Sequence, residues 1–223
     1  MLTYVLMVAV ALIVCYLIGS VNFAVIISKA VAHKDVREHG SGNAGMTNVI
    51  RTVGIKPGLI TLVGDVLKGV GAVLLTRFLI LEPAFEACTE NIPAVLEVKY
   101  MLYLCAAACM LGHVFPLYFQ FRGGKGVSTA IGVLYCINWQ AATFVLLTFL
   151  VLFLITKIVS IGSVMGAVEW IFYVFLCTAG ASLPMRLYET LLGAILAAIV
   201  IIRHKDNIIR LRNGEEKAIH SKK

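Results

Sequence analysis

The run Tyr4-Val5-Leu6-Met7-Val8-Ala9-Val10-Ala11-Leu12-Ile13-Val14-Cys15-Tyr16-Leu17-Ile18-Gly19-Ser20-Val21-Asn22-Phe23-Ala24-Val25-Ile26-Ile27-Ser28 carries no charged side chain. A membrane-spanning helix needs about 20 consecutive, mostly apolar residues, so this run reads as one complete span. No basic segment precedes it, which reads as a retained helix and not a cleaved signal peptide. The rest of the chain agrees: 60% of the 223 residues are hydrophobic and 14% charged, against about 25% charged in an ordinary soluble domain. Further apolar stretches at 58–80, 100–117, 127–138, 141–156, 161–180 and 188–202 bring the expected count to seven. The chain is thus expected to be an all-α, polytopic membrane protein forming a single domain over residues 1–223. The 127–138 stretch is short for a span; it either extends back into the glycines before it or is a partial helix packed inside the bundle.

Basic residues fall mainly on one side of this arrangement: Lys29, Lys34, Arg37, Arg51 and Lys56, then Arg122 and Lys125, then Lys157, then seven from Arg203 to Lys223. Only Arg77, Lys99 and Arg186 lie opposite, together with the acids Glu82, Glu86, Glu90 and Glu97. The positive-inside rule then places the N-terminus outside and the C-terminus in the cytoplasm. A net charge of +7 invites a nucleic-acid reading, but residues bordering spans are explained by topology and anionic headgroups, so nucleic acid is not an expected partner. Five of the six cysteines, Cys15, Cys105, Cys109, Cys136 and Cys177, lie in apolar stretches, and Cys88 lies in the 82–99 connection. No CxxC or CxxH spacing occurs, so neither a disulfide framework nor a zinc site is expected.

Polar chemistry gathers on the basic side. The first cluster is His39-Gly40-Ser41-Gly42-Asn43-Ala44-Gly45-Met46-Thr47-Asn48-Val49-Ile50-Arg51. Gly40, Gly42 and Gly45 let the backbone turn its N–H groups outward, while Ser41, Asn43, Thr47 and Asn48 add donors and Arg51 a fixed charge. This describes an anion cradle, or more simply a flexible interhelical loop. In the second cluster, Gly112-His113-Val114-Phe115-Pro116 leads to Phe121-Arg122-Gly123-Gly124-Lys125-Gly126-Val127-Ser128-Thr129, where glycines again precede a helix. Helix N-termini favour phosphate; a tight interfacial turn with snorkelling cations is the plainer alternative. It is not a Walker A loop, because Phe119 stands where the first glycine belongs and Gly126 where Ser or Thr belongs.

The tail supplies a third cluster, in which His204, Asn207 and Arg210 share a helical face by their spacing of three, with Gly214 as a natural stop. It reads either as part of the site or as an interfacial stop-transfer segment. Asp65 and Lys68, at i and i+3 within an apolar stretch, are either an internal ion pair or a lysine aimed at the phosphate site and held by its aspartate. Ser160 and Ser163 offer hydroxyls to the same side or cap a helix. Glu169, mid-span, has no assigned place.

Together these motifs resemble the bacterial acylphosphate-dependent glycerol-3-phosphate acyltransferases, the PlsY family. The matching elements, in order, begin with Gly19-Ser20-Val21, Asp35-Val36-Arg37, Gly40-Ser41-Gly42-Asn43-x-Gly45-x-Thr47-Asn48-x-x-Arg51 and Asp65-x-x-Lys68-Gly69. They continue with Gly112-His113-x-Phe115-Pro116, Phe121-x-Gly123-Gly124-Lys125-Gly126-Val127, Lys157-x-x-Ser160 and Arg203-His204-x-x-Asn207-Ile208-x-Arg210-Leu211-x-x-Gly214. The acid after Gly214 is Glu215 or Glu216, the latter fitting the family better; Arg122 stands where Lys is common, and the 82–99 loop is long.

The resemblance implies transfer of a fatty acyl group from acyl phosphate to the 1-hydroxyl of glycerol 3-phosphate. The products are lysophosphatidic acid and phosphate, made at the cytoplasmic face of the bacterial inner membrane. It implies Ser41, Gly42, Asn43, Gly45 and Thr47 for the acyl-phosphate group, and Arg51, Lys125, His204 and Asn207 for glycerol phosphate. Asn48, Lys68, His113, Gly123, Gly124, Gly126, Ser160, Arg203 and Glu216 join as further substrate contacts. His204 is a general base, or it orients the hydroxyl while an anionic substrate oxygen takes the proton. The implied partners are the two substrates and the lipid bilayer, with no cofactor or metal and the monomer as the simplest unit. Acyl-CoA-type acyltransferases use His-x4-Asp, which this chain lacks, its nearest spacing being His33-x4-Glu38. With only Asp35, Asp65 and Asp206 it also lacks the multi-aspartate motif of CDP-alcohol phosphotransferases. A transporter of a phosphorylated metabolite is the remaining alternative.

Overall fold

The computed structural model describes residues 1–88, 92–216 and 218; Glu90 in the acidic connection and Lys217, Lys222 and Lys223 in the tail lie outside them. The chain forms α1 (Leu2–Gly19), α2 (Phe23–Ala32), α3 (Met46–Thr52), α4 (Ile55–Thr76), α5 (Glu82–Glu86), α6 (Val98–Val114), α7 (Val127–Ile137), α8 (Trp139–Thr156), α9 (Val159–Cys177), α10 (Leu183–Arg203) and α11 (Lys205–Arg212). A π turn at Arg77–Leu81 carries α4 into α5. Among the described residues six segments are long and apolar enough to cross a membrane, Leu2–Ala32 and Ile55–Glu86 included, and α7 is a shorter apolar helix. Of the two readings of the 127–138 stretch, the partial helix is the one found. Apolar side chains such as Leu79, Ile155 and Ile202 point outward with more than two thirds of their surface uncovered, as expected where lipid is the solvent.

The opening run is not one continuous helix. It breaks at Ser20–Asn22, where the Asn22 side chain accepts from Val25 N at 3.1 Å and caps α2. Asparagine competes well at a helix start, so α2 begins afresh there. The break also frees the carbonyl of Val21 to accept from Lys68.

Close crossings are made through glycine. A Cβ on Gly19 would stand 2.1 Å from the Cys109 carbonyl oxygen, and one on Gly112 would stand 2.2 Å from that of Tyr16, so α1 and α6 touch backbone to backbone. Gly69 against Thr129 and Gly132 against Val66 do the same for α4 and α7. Such contacts are the usual route to tight helix association in lipid, where no hydrophobic effect drives helices together.

The two ends of the bundle differ. At one end Tyr4 Oη donates to Leu96 O at 2.7 Å, Arg77 pairs with Glu82 at 2.8 Å, and Tyr103 Oη donates to Glu189 at 3.0 Å. The other end gathers the three polar clusters. Glu169 lies between them, accepting from Thr148 Oγ1 at 3.0 Å across the α8–α9 contact.

Candidate active site

The first glycine loop is built on an ion pair. Asp35 accepts from Arg37 N at 3.0 Å, and the Arg37 guanidinium grips the same carboxylate through Nε at 2.9 Å and Nη2 at 2.8 Å. These hydrogen bonds hold the Asp35 carboxyl well below the usual carboxylate range. Arg37 Nη1 also donates to Phe119 O at 2.7 Å, tying this loop to the second one. Beyond it the chain reverses at Gly40 (φ +62°) and Gly42 (φ +70°), a region that side chains rarely adopt.

Asn48 braces the turn. Its Oδ1 accepts from Ser41 N at 3.0 Å, and its Nδ2 donates to Val36 O and His39 O, both at 2.9 Å. The sequence reading placed Asn48 among the substrate contacts; the fold engages its amide within the loop, and a Cβ on Gly40 would come within 2.2 Å of its Oδ1. Ser41 and Gly42 stay exposed, Asn43, Gly45 and Thr47 are half-buried, and α3 starts at Gly45.

The second loop folds back on α6: Gly123 N donates to Val114 O and Gly124 N to His113 O, both at 3.2 Å. A Cβ on Gly124 would meet His113 Nε2 at 2.3 Å and the Ala44 carbonyl at 2.6 Å. The two glycine loops therefore touch at this residue, and Gly123 and Gly124 are required for closeness. Gly126, at φ +86°, is required for its turn into α7.

Beneath the loops lies a buried network. Lys68 Nζ donates to the freed Val21 carbonyl at 2.6 Å, lies 2.9 Å from His113 Nδ1, and pairs with Asp65 Oδ1 at 2.9 Å. The ammonium thus has two hydrogen-bond partners and one ion-pair partner. Of the two readings of Asp65–Lys68, the structure has the internal pair, with His113 as a third member whose ring abuts Gly124. Lys68 and His113, both expected as substrate contacts, lie in this network, with the His113 ring beneath the second loop.

The tail closes the site. After α10, His204 turns the chain into α11, and its Nδ1 lies 2.8 Å from Val200 O. A carbonyl only accepts, so Nδ1 carries the proton and Nε2 is the basic nitrogen. Burial, aided by the charge of Lys125, pulls His204 down to about 4, so the ring is neutral at neutral pH. Gly214 (φ +70°) stops α11 in a Schellman turn, with Glu215 N donating to Arg210 O at 2.8 Å and Gly214 N to Leu211 O at 3.1 Å.

That turn sends Glu216 back onto the site, where its carboxylate accepts from Ser160 Oγ at 2.9 Å, Arg210 Nε at 2.6 Å and Asn207 Nδ2. Between Glu215 and Glu216, the second is the one that joins the cluster. Asn207 Oδ1 in turn accepts from Lys125 Nζ, joining the second loop to the tail. Burial pulls the Lys125 ammonium down to about 8, opposed by the charge of Glu216.

The sequence-predicted residues thus converge from four regions of the chain. Arg51 reaches the tail from α3, with Nη2 3.3 Å from Ala218 O, and Arg203 lies over the Phe115 ring at 5.6 Å. Ser160 bonds Glu216, whereas Ser163 back-bonds to Val159 O at 2.9 Å; neither caps α9. Arg37 and Arg210 are the two organising cations absent from the predicted site. Their motif positions, Asp35-x-Arg37 and the third place in the His204 face, were the available signals.

What this arrangement brings together is two glycine loops, a lysine of lowered basicity and a neutral imidazole. Comparison with known proteins agrees. The family model for glycerol-3-phosphate acyltransferases matches residues 9–214. A glycerol-3-phosphate acyltransferase of Clostridioides difficile is 39% identical, with 95% of both chains covered, and one of Idiomarina loihiensis is 37% identical over 91% of both. Crystal structures of PlsY, an integral membrane glycerol 3-phosphate acyltransferase, superpose with a TM-score of 0.74; the glycerol 3-phosphate form is 31% identical, covering 95% of this chain and 94% of that one, and a lysophosphatidic acid form is 29% identical. The chain is a membrane protein belonging to the glycerol-3-phosphate acyltransferase family.

Proposed function

We propose that the protein transfers a fatty acyl group from acyl phosphate to the 1-hydroxyl of glycerol 3-phosphate at the cytoplasmic face of the bacterial inner membrane. The observation that carries this reading is the meeting of two glycine loops with the Lys125–Asn207–Glu216 cluster and neutral His204 at one end of an apolar bundle. Two phosphates need two sets of donors, and the acyl chain needs a hydrophobic wall. The excess of basic residues at that end supports the cytoplasmic orientation.

The acyl phosphate lies along Ser41, Gly42, Asn43, Gly45 and Thr47, at the start of α3. Glycerol phosphate is held by Lys125, Arg51 and Arg203, with Asn207 and His204 orienting its hydroxyl. Glu216 and Ser160 hold Asn207 in place. Asn48, His113 and Lys68 act one layer further out, fixing the loops.

In the reaction the glycerol oxygen bonds to the acyl carbon, the carbonyl electrons move onto oxygen, and their return expels phosphate. Side-chain donors of the first loop, the Ser41 hydroxyl among them, stabilise that oxyanion. A base of pKa about 4 is a poor final acceptor for the hydroxyl proton, whereas a phosphate oxygen with a second pKa of about 6 accepts it more readily. His204 therefore orients the hydroxyl through Nε2, and the departing phosphate takes the proton. Acyl phosphate is already an activated anhydride, so positioning two anions supplies most of the catalysis.

The test is purified protein in detergent with acyl phosphate and glycerol 3-phosphate, following lysophosphatidic acid and phosphate together. Stoichiometric formation of both is expected. Neither product, with counterflow of glycerol phosphate in liposomes, would establish a transporter instead. Labelled acyl trapped on the denatured protein, and lost in Ser41→Ala, would replace direct attack with an acyl-enzyme.

A further inference from the structure

Directly behind the polar site an apolar cavity runs into the bundle between α6, α7, α8, α9 and α10. Its lining begins beside residues of the polar site. Val127 follows Gly126, Ser163 lies one turn beyond Ser160, and Val200 is the residue whose carbonyl holds His204. Its walls bear small side chains, Ala130 and Ala167 among them, and Gly162 and Gly166 bring α9 close against Phe149 and Val145 of α8.

Trp170 lies deepest along α9 of the lining residues. It is 1% exposed and heads the fully buried side chains by volume. Its Nε1 finds no hydrogen-bond partner among the described residues, and a Cβ on Gly193 would stand 3.2 Å from that atom. Polar bonding therefore does not account for an indole here; bulk does.

We propose that Trp170 is the floor of the acyl-chain site and sets the longest acyl group that the enzyme takes at full rate. The inference rests on the acyl-phosphate reading above. Trp170 lies ten residues beyond Ser160 on α9, which at a rise of 1.5 Å per residue is about 15 Å. An extended chain advances roughly 1.2 Å per bond, so about 12 bonds separate the polar site from the indole. Methylenes up to that length exchange lipid or detergent for the apolar walls of the cavity at little cost, and further ones meet the ring and must displace packed side chains.

The experiment measures kcat/KM for saturated acyl phosphates of increasing length, in detergent, for wild type, Trp170→Leu and Ala167→Leu. The wild-type profile is expected to hold level with increasing length and then break, falling beyond one chain length. Trp170→Leu moves the break at least two carbons longer, and Ala167→Leu moves it shorter. The same break in both active variants would overturn the proposal.

A second measurement needs no turnover. In Trp139→Phe the only remaining tryptophan is Trp170. Acyl phosphate brominated near carbon 12 is expected to quench its fluorescence several-fold more than acyl phosphate brominated near carbon 4. Equal or absent quenching would overturn the assignment even in an active enzyme. Deep quenching without lysophosphatidic acid would uphold the floor and defeat the reaction.

Discussion

Removing the ammonium of Lys68 tests the architecture most directly. Its side chain is 4% exposed, that of Asp65 is 1% exposed, and their charged atoms are 2.9 Å apart. At an effective dielectric constant of about 20, that separation is worth roughly 6 kcal/mol of gross attraction. Stripping one partner leaves a buried charge uncompensated, which costs about 3–5 kcal/mol. In addition, the Val21 carbonyl and His113 Nδ1 lose their contact with the ammonium.

Lys68→Met is therefore expected to lower stability by about 3–5 kcal/mol, and Asp65→Leu by a similar amount. The double variant should be at least about 2 kcal/mol milder than the sum, because neither charge is then stranded. Reversible unfolding in mixed micelles gives the cycle, and the KM for glycerol 3-phosphate on the folded fraction gives the second axis. A lysine that binds phosphate would instead raise KM tenfold or more while leaving stability intact. That outcome, or strict additivity of the two single changes, would refute the reasoning.

Lys125, lowered to about 8 by burial, loses its charge as pH rises through that value. The kcat/KM for glycerol 3-phosphate should fall above about pH 8, and Lys125→Arg, where active, should lose this alkaline limb because guanidinium stays charged. For Glu216, burial raises the carboxyl pKa, but the hydrogen bonds of Asn207, Arg210 and Ser160 outweigh it and the net shift is downward from 4.5. A depressed carboxylate stabilises the fold above its unfolded pKa and ceases to do so as pH falls through its folded one. Protection factors for hydrogen exchange across the α11 end should therefore fall below about pH 4.5 in wild type, while Glu216→Gln shows that lower protection at neutral pH already. Gly124→Ala should cost about 1–3 kcal/mol through overpacking and abolish most activity, whereas Gly71→Ala, with nothing within 4 Å of its Cβ, should be silent in both assays.

The sequence by itself determined the solvent, the helical class and which end gathers the polar clusters. Uncharged runs admit only helices or closed barrels in lipid, and the lengths of 4–28, 58–80 and 100–117 exclude strands. The glycine loops and the Arg203–Glu216 tail were legible because turns and caps follow local rules that need no neighbours. Contacts across the bundle were not. Asp65–Lys68 reads the same whether lysine faces inward or toward a ligand; the choice depended on a carbonyl freed 47 residues away at Val21. Asn22 looked like one more residue of a span until its capping bond showed where the helix restarts. Asn48 resembled a ligand because its amide is local chemistry, but its partners at Val36, His39 and Ser41 exist only after the loop has closed. The tertiary structure alone decided which polar groups the protein itself pairs, because those partners come from segments far apart in the chain.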